Sequence, residues 1–276
     1  MASPGKSEKS FVAGFIVVAS LAAAGLLLHL VIGPMDWDAL AFPRNAILLT
    51  AFITILAIAS IWRDSSRVLR WLASLEAAVP SLLSVGAVTA IYGLTGNRST
   101  LSNWSFILLY LFLTVSLGLT CIKRLSFKPK NIPFLLNHIG LFIVLVSATL
   151  GSADREELRM IVGSEHPEWR AVDDKGFGYT PGFSLRLDDF SEETFTSEIS
   201  VFEEDRAVGT ISVSVNHPVE LGGWTIYQSG YDDYGEGAVT ILELVRDPWL
   251  PAVYCGIFLL LAGAVSLFLT RKPARR

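Results

Sequence analysis

The sequence predicts a polytopic α-helical membrane protein with six transmembrane helices and one small extracytoplasmic antiparallel β domain. Three observations predict it. Apolar runs of about 20 residues recur, the length a helix needs to cross a bilayer, and 51% of the residues are hydrophobic against 17% charged. Between 152 and 248 these runs give way to strand-like alternation. Charge divides at the same points: residues 152–248 hold 21 Asp/Glu against 7 Lys/Arg, a net of −14, while the rest of the chain has a net of +10. The overall −4 averages an acidic part and a basic part, which are read separately.

Five spans fall within a membrane domain, 1–151, at about 11–33, 45–62, 71–94, 105–122 and 133–151; a sixth, 249–270, begins a C-terminal part, 249–276, that ends in a basic tail. The first has no clear A-x-A cleavage site and is too long for a signal-peptide core, so it is expected to be retained. The third contains Glu76 and Pro80, and loop charge decides in its favour. Arg63, Arg67 and Arg70 lie in one loop, Lys123, Arg124, Lys128 and Lys130 in another, and Arg271, Lys272, Arg275 and Arg276 in the tail. If 71–94 crosses, all three clusters and Lys6 and Lys9 lie in the cytoplasm, with both termini inside and 152–248 outside. Pro80 then bends or breaks its helix unless neighbours satisfy the carbonyl it frees.

In the acidic stretch, "GTISVSVNHPV" sets Ile211, Val213 and Val215 on one face and Ser212, Ser214 and Asn216 on the other, a half-buried strand. "FSLRLDDF" alternates through Phe183, Leu185 and Leu187, and "ISVFEEDRAVGTISV" reads as a hairpin turning at its charged residues. "WTIYQSGY" and "AVTILELV" add strands, for about five in all, which predicts a small sandwich or open barrel. Asp247 and Pro248 are expected to cap the last span. Cys121 and Cys255 are the only cysteines and form no CxxC, so disulfide exchange and covalent haem attachment to this chain both lack their residues. No hydrolytic triad, phosphate loop, metal cluster or nucleic-acid patch is present.

The ordered segments "PGFSLRLDDF", "FTSEISVFE", "VNHPVELGGWTIYQSGYD" and "LELVRDPWLPAVYCGIFLLLAGAVSLFL" resemble the ResB-like family of System II cytochrome c biogenesis proteins. The resemblance is strongest over about 181–270. It implies an inner-membrane subunit that works with a CcsA/ResC-type haem-handling partner to export haem and deliver it to an apocytochrome c, without catalytic residues of its own. The chain departs from the family in being shorter than most members, in having six spans where four are usual, and in lacking the partner's tryptophan-rich signature.

Four histidines are candidates. The resemblance implies a haem ligand in the span before the β domain, where His138 stands beside Asn137. A neutral imidazole suits haem b iron, held transiently; the competing reading is a hydrogen bond between helices, to Asn137 of a partner or to a backbone carbonyl. His29 is a second candidate ligand or an interfacial residue, at a different depth. His217 precedes Pro218 and marks a strand end, and His166 is expected in solvent. Asn216, His217, Trp224, Tyr227, Gln228 and Tyr231 are candidate contacts for a partner or client, against a core role for the aromatics. Tyr234 completes the same aromatic run. Two other functions stay open: a b-type haem subunit of a respiratory complex, and a haem-free anchor for a protein-binding β domain.

Overall fold

The structure, a computed structural model, describes residues 4–126, 128–233 and 238–270. Tyr234 and the tail from Arg271 to Arg276 lie outside the described residues. The chain divides into two compact units, Met1–Asp154 with Trp249–Arg276, and Arg155–Pro248.

The first unit is helical: α1 (Pro4–Ile32), α2 (Arg44–Trp62), α3 (Arg67–Leu72), α4 (Leu75–Thr95), α5 (Trp104–Lys123), α6 (Ile132–Gly151) and α7 (Leu250–Thr270). Six of these, all but α3, are long and apolar enough to span a membrane. Large apolar side chains such as Leu30, Val31, Ile61, Leu94 and Phe268 face outward, as a lipid-facing surface requires. The helices hold together by backbone proximity. A Cβ on Gly140 would stand 2.7 Å from the Gly256 carbonyl oxygen, one on Gly256 2.8 Å from that of Gly140, and one on Gly263 2.4 Å from Asn137 Nδ2. Gly25 approaches the Ser105 backbone as closely. Side chains then tie helix to helix: Ser105 Oγ donates to Ala22 O at 2.7 Å, Ser116 Oγ to Leu72 O at 2.7 Å, and Tyr110 OH to Leu145 O at 2.8 Å. Hydrogen bonds and small-residue contacts are what association in lipid depends on.

The predicted span at 71–94 is two helices. The break at Ala73–Ser74 puts Trp71 in α3 and starts α4 at Leu75; α4 is the expected third span, and Glu76 sits in its first turn. Pro80 remains within α4 and frees the Glu76 carbonyl. That oxygen is covered by Gly14 of α1, where any Cβ would come within 2.1 Å of it.

Asp154 gathers three chain segments. Its carboxylate accepts the Phe42 N–H at 2.7 Å, Asn45 Nδ2 at 2.7 Å and Trp249 Nε1 at 2.7 Å. The fully buried Asn45 also donates to Leu150 O at 3.0 Å. The last helix starts at Leu250, two residues beyond the expected Pro248 start. Trp249 O accepts the N–H groups of Ala252 and Val253, so the residue held by Asp154 takes the capping place expected of Asp247.

Among the described residues the second unit has nine strands, against the five or so expected: β1 (Glu156–Gly163), β2 (Ala171–Val172), β3 (Gly178–Tyr179), β4 (Ser184–Ser191), β5 (Thr196–Glu203), β6 (Arg206–Ser214), β7 (Val219–Leu221), β8 (Trp224–Asp233) and β9 (Ala238–Arg246). The short β2, β3 and β7 give no alternation to count, and β1 was passed over. One sheet runs β3-β2-β1-β9-β8-β7 and the other β4-β5-β6, with every pairing antiparallel. Isolated bridges pair Glu168 with Leu185 and Ser214 with His217. The expected hairpin is β5–β6, turned at Glu204 and Asp205 with φ of 46° and 66°, the left-handed pair of a tight two-residue turn. Met160, Val162, Leu185, Ile199, Val213, Ile226, Leu242 and Leu244 form a fully buried core. Val215 lies beyond β6 and is exposed, so it leaves the face predicted for it with Val213.

Candidate functional site

His138 lies in the second turn of α6, six residues past the Ile132 start and thus about 9 Å along the helix. Its Nδ1 stands 2.9 Å from Phe134 O. A carbonyl only accepts, so Nδ1 carries the proton and the Nε2 lone pair is left for another partner. This bond stays within α6, where the competing expectation was a bond between helices, and it occupies one nitrogen only. Histidines that bind metals donate their second nitrogen in this way. The Phe134 ring stacks on the imidazole at 3.7 Å and fixes its plane, and the Arg124 guanidinium lies 4.6 Å above Phe134.

This imidazole lines a cleft of about 380 Å³ among α4, α5 and α6, closed by Ala73 and Ser74 between α3 and α4, within the size range of small-molecule sites. Leu82, Leu113, Leu117 and Leu141 make its walls apolar, and Lys123 and Arg124 bring two cations. Lys123 Nζ donates to Ala73 O at the end of α3, 3.1 Å away. Ser74, Leu75 and Glu76, the opening residues of α4, complete the lining; a helix N-terminus carries positive partial charge. A neutral imidazole nitrogen, apolar walls and two cations against the single Glu76 carboxylate together fit a flat, metal-bearing, carboxylated ligand, which is the chemistry of haem.

His29 does not join this site. It lies near the end of α1, where Trp104 Nε1 donates to Gly33 O at 3.0 Å, beside the first residue of α5, whereas the His138 cleft includes Thr120 and Lys123 at the last turn of α5. The 20 residues of α5 span about 30 Å, so the two imidazoles cannot share one iron. His29 Nδ1 is buried without a hydrogen-bond partner among the described residues.

In the β unit, the six residues singled out as contacts separate. Trp224 (5% exposed) belongs to the core, and Gln228 (6%) is locked in it. Gln228 Oε1 accepts Ser197 Oγ at 2.8 Å while its Nε2 donates to Gly230 O and Thr240 Oγ1, both at 2.8 Å. These two present no surface to a partner. Tyr231 stacks on Phe190 at 3.6 Å. Asn216, His217 and Tyr227 are exposed, His217 at the expected turn, where its N–H and O pair with Ser214; His166 is exposed as well.

Residues 129–241, from the turn before α6 into β9, match the model of the ResB-like family. The chain carries a ResB-like region. That region holds His138 at one end and nearly all of the β unit, and it leaves α1 to α5 and α7 outside the match. A solved structure titled "Cytochrome c Heme Lyase CcmF" aligns with 93% of this chain and 44% of its own, at 13% identity and a TM-score of 0.34. The chain thus spans less than half of that protein, and a likeness of this size decides neither fold nor activity. No curated protein matches.

Proposed function

We propose that this protein is a membrane subunit of cytochrome c biogenesis that receives haem as cargo in the His138 cleft and passes it on with a haem-handling membrane partner. The ResB-like match supports the role in cytochrome c biogenesis. The single observation that carries the haem assignment is the His138 tautomer: Nδ1 is bound to Phe134 O and Nε2 is left to ligate, inside a cleft with apolar walls and two cations. Lys123 and Arg124 hold the carboxylates and the leucines face the ring. The positive-inside distribution of the basic loops supports a reading in which the His138 end of α6 faces the cytoplasm and the β unit faces outward toward an apocytochrome c client. The partner is of the CcsA/ResC type, since this chain lacks that partner's tryptophan signature.

Deleting the gene and staining for covalent haem tests the role, with loss of c-type cytochromes expected. Normal levels of every c-type cytochrome would discard it. For the site, His138→Ala should lower the haem absorbance of the co-purified complex about tenfold or more, with the complex still assembled on gel filtration. Unchanged haem content in an intact complex removes His138 from the site.

A further inference from the structure

Among the described aromatics of the β unit only Phe183 and Trp224 are buried, and the three most exposed gather on one hairpin. Trp169 is 53% exposed, Phe177 65% and Tyr179 47%, with Val172 beside them at 41%. They flank β2 and β3, and β3 is an outermost strand whose far side pairs with no described strand. Tyr179 is directly opposite Ala171, which is fully buried; the pleat puts both on one face, so the face that is core at Ala171 continues past the edge of the sheet and stays uncovered.

This display is held in place rather than loose. Asp173 Oδ1 accepts the N–H groups of Lys175 at 2.9 Å and Phe177 at 2.8 Å, Asp173 N donates to Phe177 O at 3.0 Å, and Gly176 turns with φ of +85°. Glu168 Oε1 accepts the N–H groups of Trp169 at 3.1 Å and Arg170 at 2.8 Å. The Arg170 guanidinium already lies 5.4 Å over the Trp169 ring, which shows a cation resting on that ring.

Charge selects what else could rest there. The unit, residues 155–248, has 20 Asp/Glu against 7 Lys/Arg, a net of −13, and residues 164–181 hold Glu165, Glu168, Asp173 and Asp174 against Arg170 and Lys175. The charge of Asp173, with that of Glu156 acting in the same sense, pushes the Tyr179 phenol above its usual range. An anionic lipid surface would be repelled, whereas a lysine-rich chain meets carboxylates for its ammonium groups and rings for their methylene stems.

We infer that the β2–β3 hairpin is a docking edge for an extended, lysine-rich polypeptide, which adds alongside β3 and lays its side chains over Trp169, Phe177 and Tyr179. Strand addition to a free edge supplies backbone hydrogen bonds whatever the sequence, and the aromatics and acids supply the preference. The inference rests on the proposed function only in taking that polypeptide to be an unfolded cytochrome client.

The test uses the full chain in nanodiscs, with an unstructured Lys/Leu peptide and its Glu/Leu counterpart as probes. The basic peptide should bind, the acidic one should not, and added salt should weaken binding. Trp169→Ala or Phe177→Ala should each weaken it by about tenfold or more, and a photo-crosslinker at position 177 should capture the basic peptide. Equal binding of both peptides, or binding unmoved by either variant, overturns the inference. So does quenching of Trp169 by phosphatidylcholine vesicles in place of peptide, which would make the patch a membrane anchor. If patch-dependent peptide binding holds while a deletion strain makes normal cytochromes c, the proposed function fails and the docking edge stands. The reverse result separates them the other way.

Discussion

The two units are built on opposite packing rules. The β unit encloses large side chains, Leu185, Ile226, Leu242 and Leu244 among them, at essentially zero exposure. The helical unit turns its large side chains outward and puts glycines at its tightest crossings, Gly14, Gly25, Gly140, Gly256 and Gly263. Water drives the first arrangement, because burying apolar surface is favourable only when the alternative is aqueous. In lipid that incentive vanishes, and close backbone approach takes over. The β unit is therefore sensitive to what is removed, and the helical unit to what is added.

The largest effect should come from the β core. Leu244→Ala leaves a cavity in a closed interior and should cost about 2–5 kcal/mol. Amide hydrogen exchange in detergent should accelerate across β1, β8 and β9 and stay unchanged in α6 and α7. Equal acceleration of both units would mean that they do not fold by separate rules.

Gly140→Val sharpens the same contrast from the other side. Its new atoms meet the Gly256 oxygen and the Leu260 nitrogen, 2.7 Å and 2.9 Å from a Cβ, and backbone cannot move aside as a side chain can. A loss of about 1–3 kcal/mol is expected, read as faster exchange in α6 and α7 with the strands unaffected.

Next in size comes Asp154→Asn. The carboxylate serves three donors on two oxygens, and an amide would turn an NH₂ toward some of them. About 1–2 kcal/mol should be lost, with proteolysis near Trp249 as the readout; unchanged cleavage would show that the three donors find other partners.

Smallest of all is Glu168. The Arg170 hydrogen bond, opposed by burial, holds its carboxyl below the ordinary 4.5. A lowered folded-state value stabilises at pH above the unfolded one, and that stabilisation is lost as the pH falls through the folded one. Glu168→Gln should therefore cost less than about 1 kcal/mol near neutrality, given the partial exposure of the pair, and nothing at strongly acidic pH. Thermal melts of variant and wild type across the acid range measure it; a difference that persists at the acid end would assign the effect to packing.

Legibility followed periodicity. "FSLRLDDF" gave away its core residues because alternation is local, and Phe183, Leu185 and Leu187 are all buried. The hairpin at Glu204–Asp205 announced itself by charge between two strand-like runs. By contrast β2 and β3 are two residues long, too short for any period, so Trp169, Phe177 and Tyr179 passed unremarked. Their one signal was three aromatics among acids and glycines in a stretch with no pattern to bury them. His138 was conspicuous as an imidazole in an apolar run, but the partners of its cleft come from residues 73–82 and 113–124, far away in the chain.

By itself the sequence determined which stretches suit lipid, which suit a half-buried sheet, and which loops carry the basic clusters, because hydropathy, alternation and charge are properties of neighbouring residues. Tertiary structure alone decided that Trp224 and Gln228 are interior while Trp169 is surface, that Gly14 covers the carbonyl freed by Pro80, and that His138 and His29 belong to opposite ends of α5. Each of those depends on which distant segment lies alongside, and adjacency between distant segments is settled only when the whole chain packs.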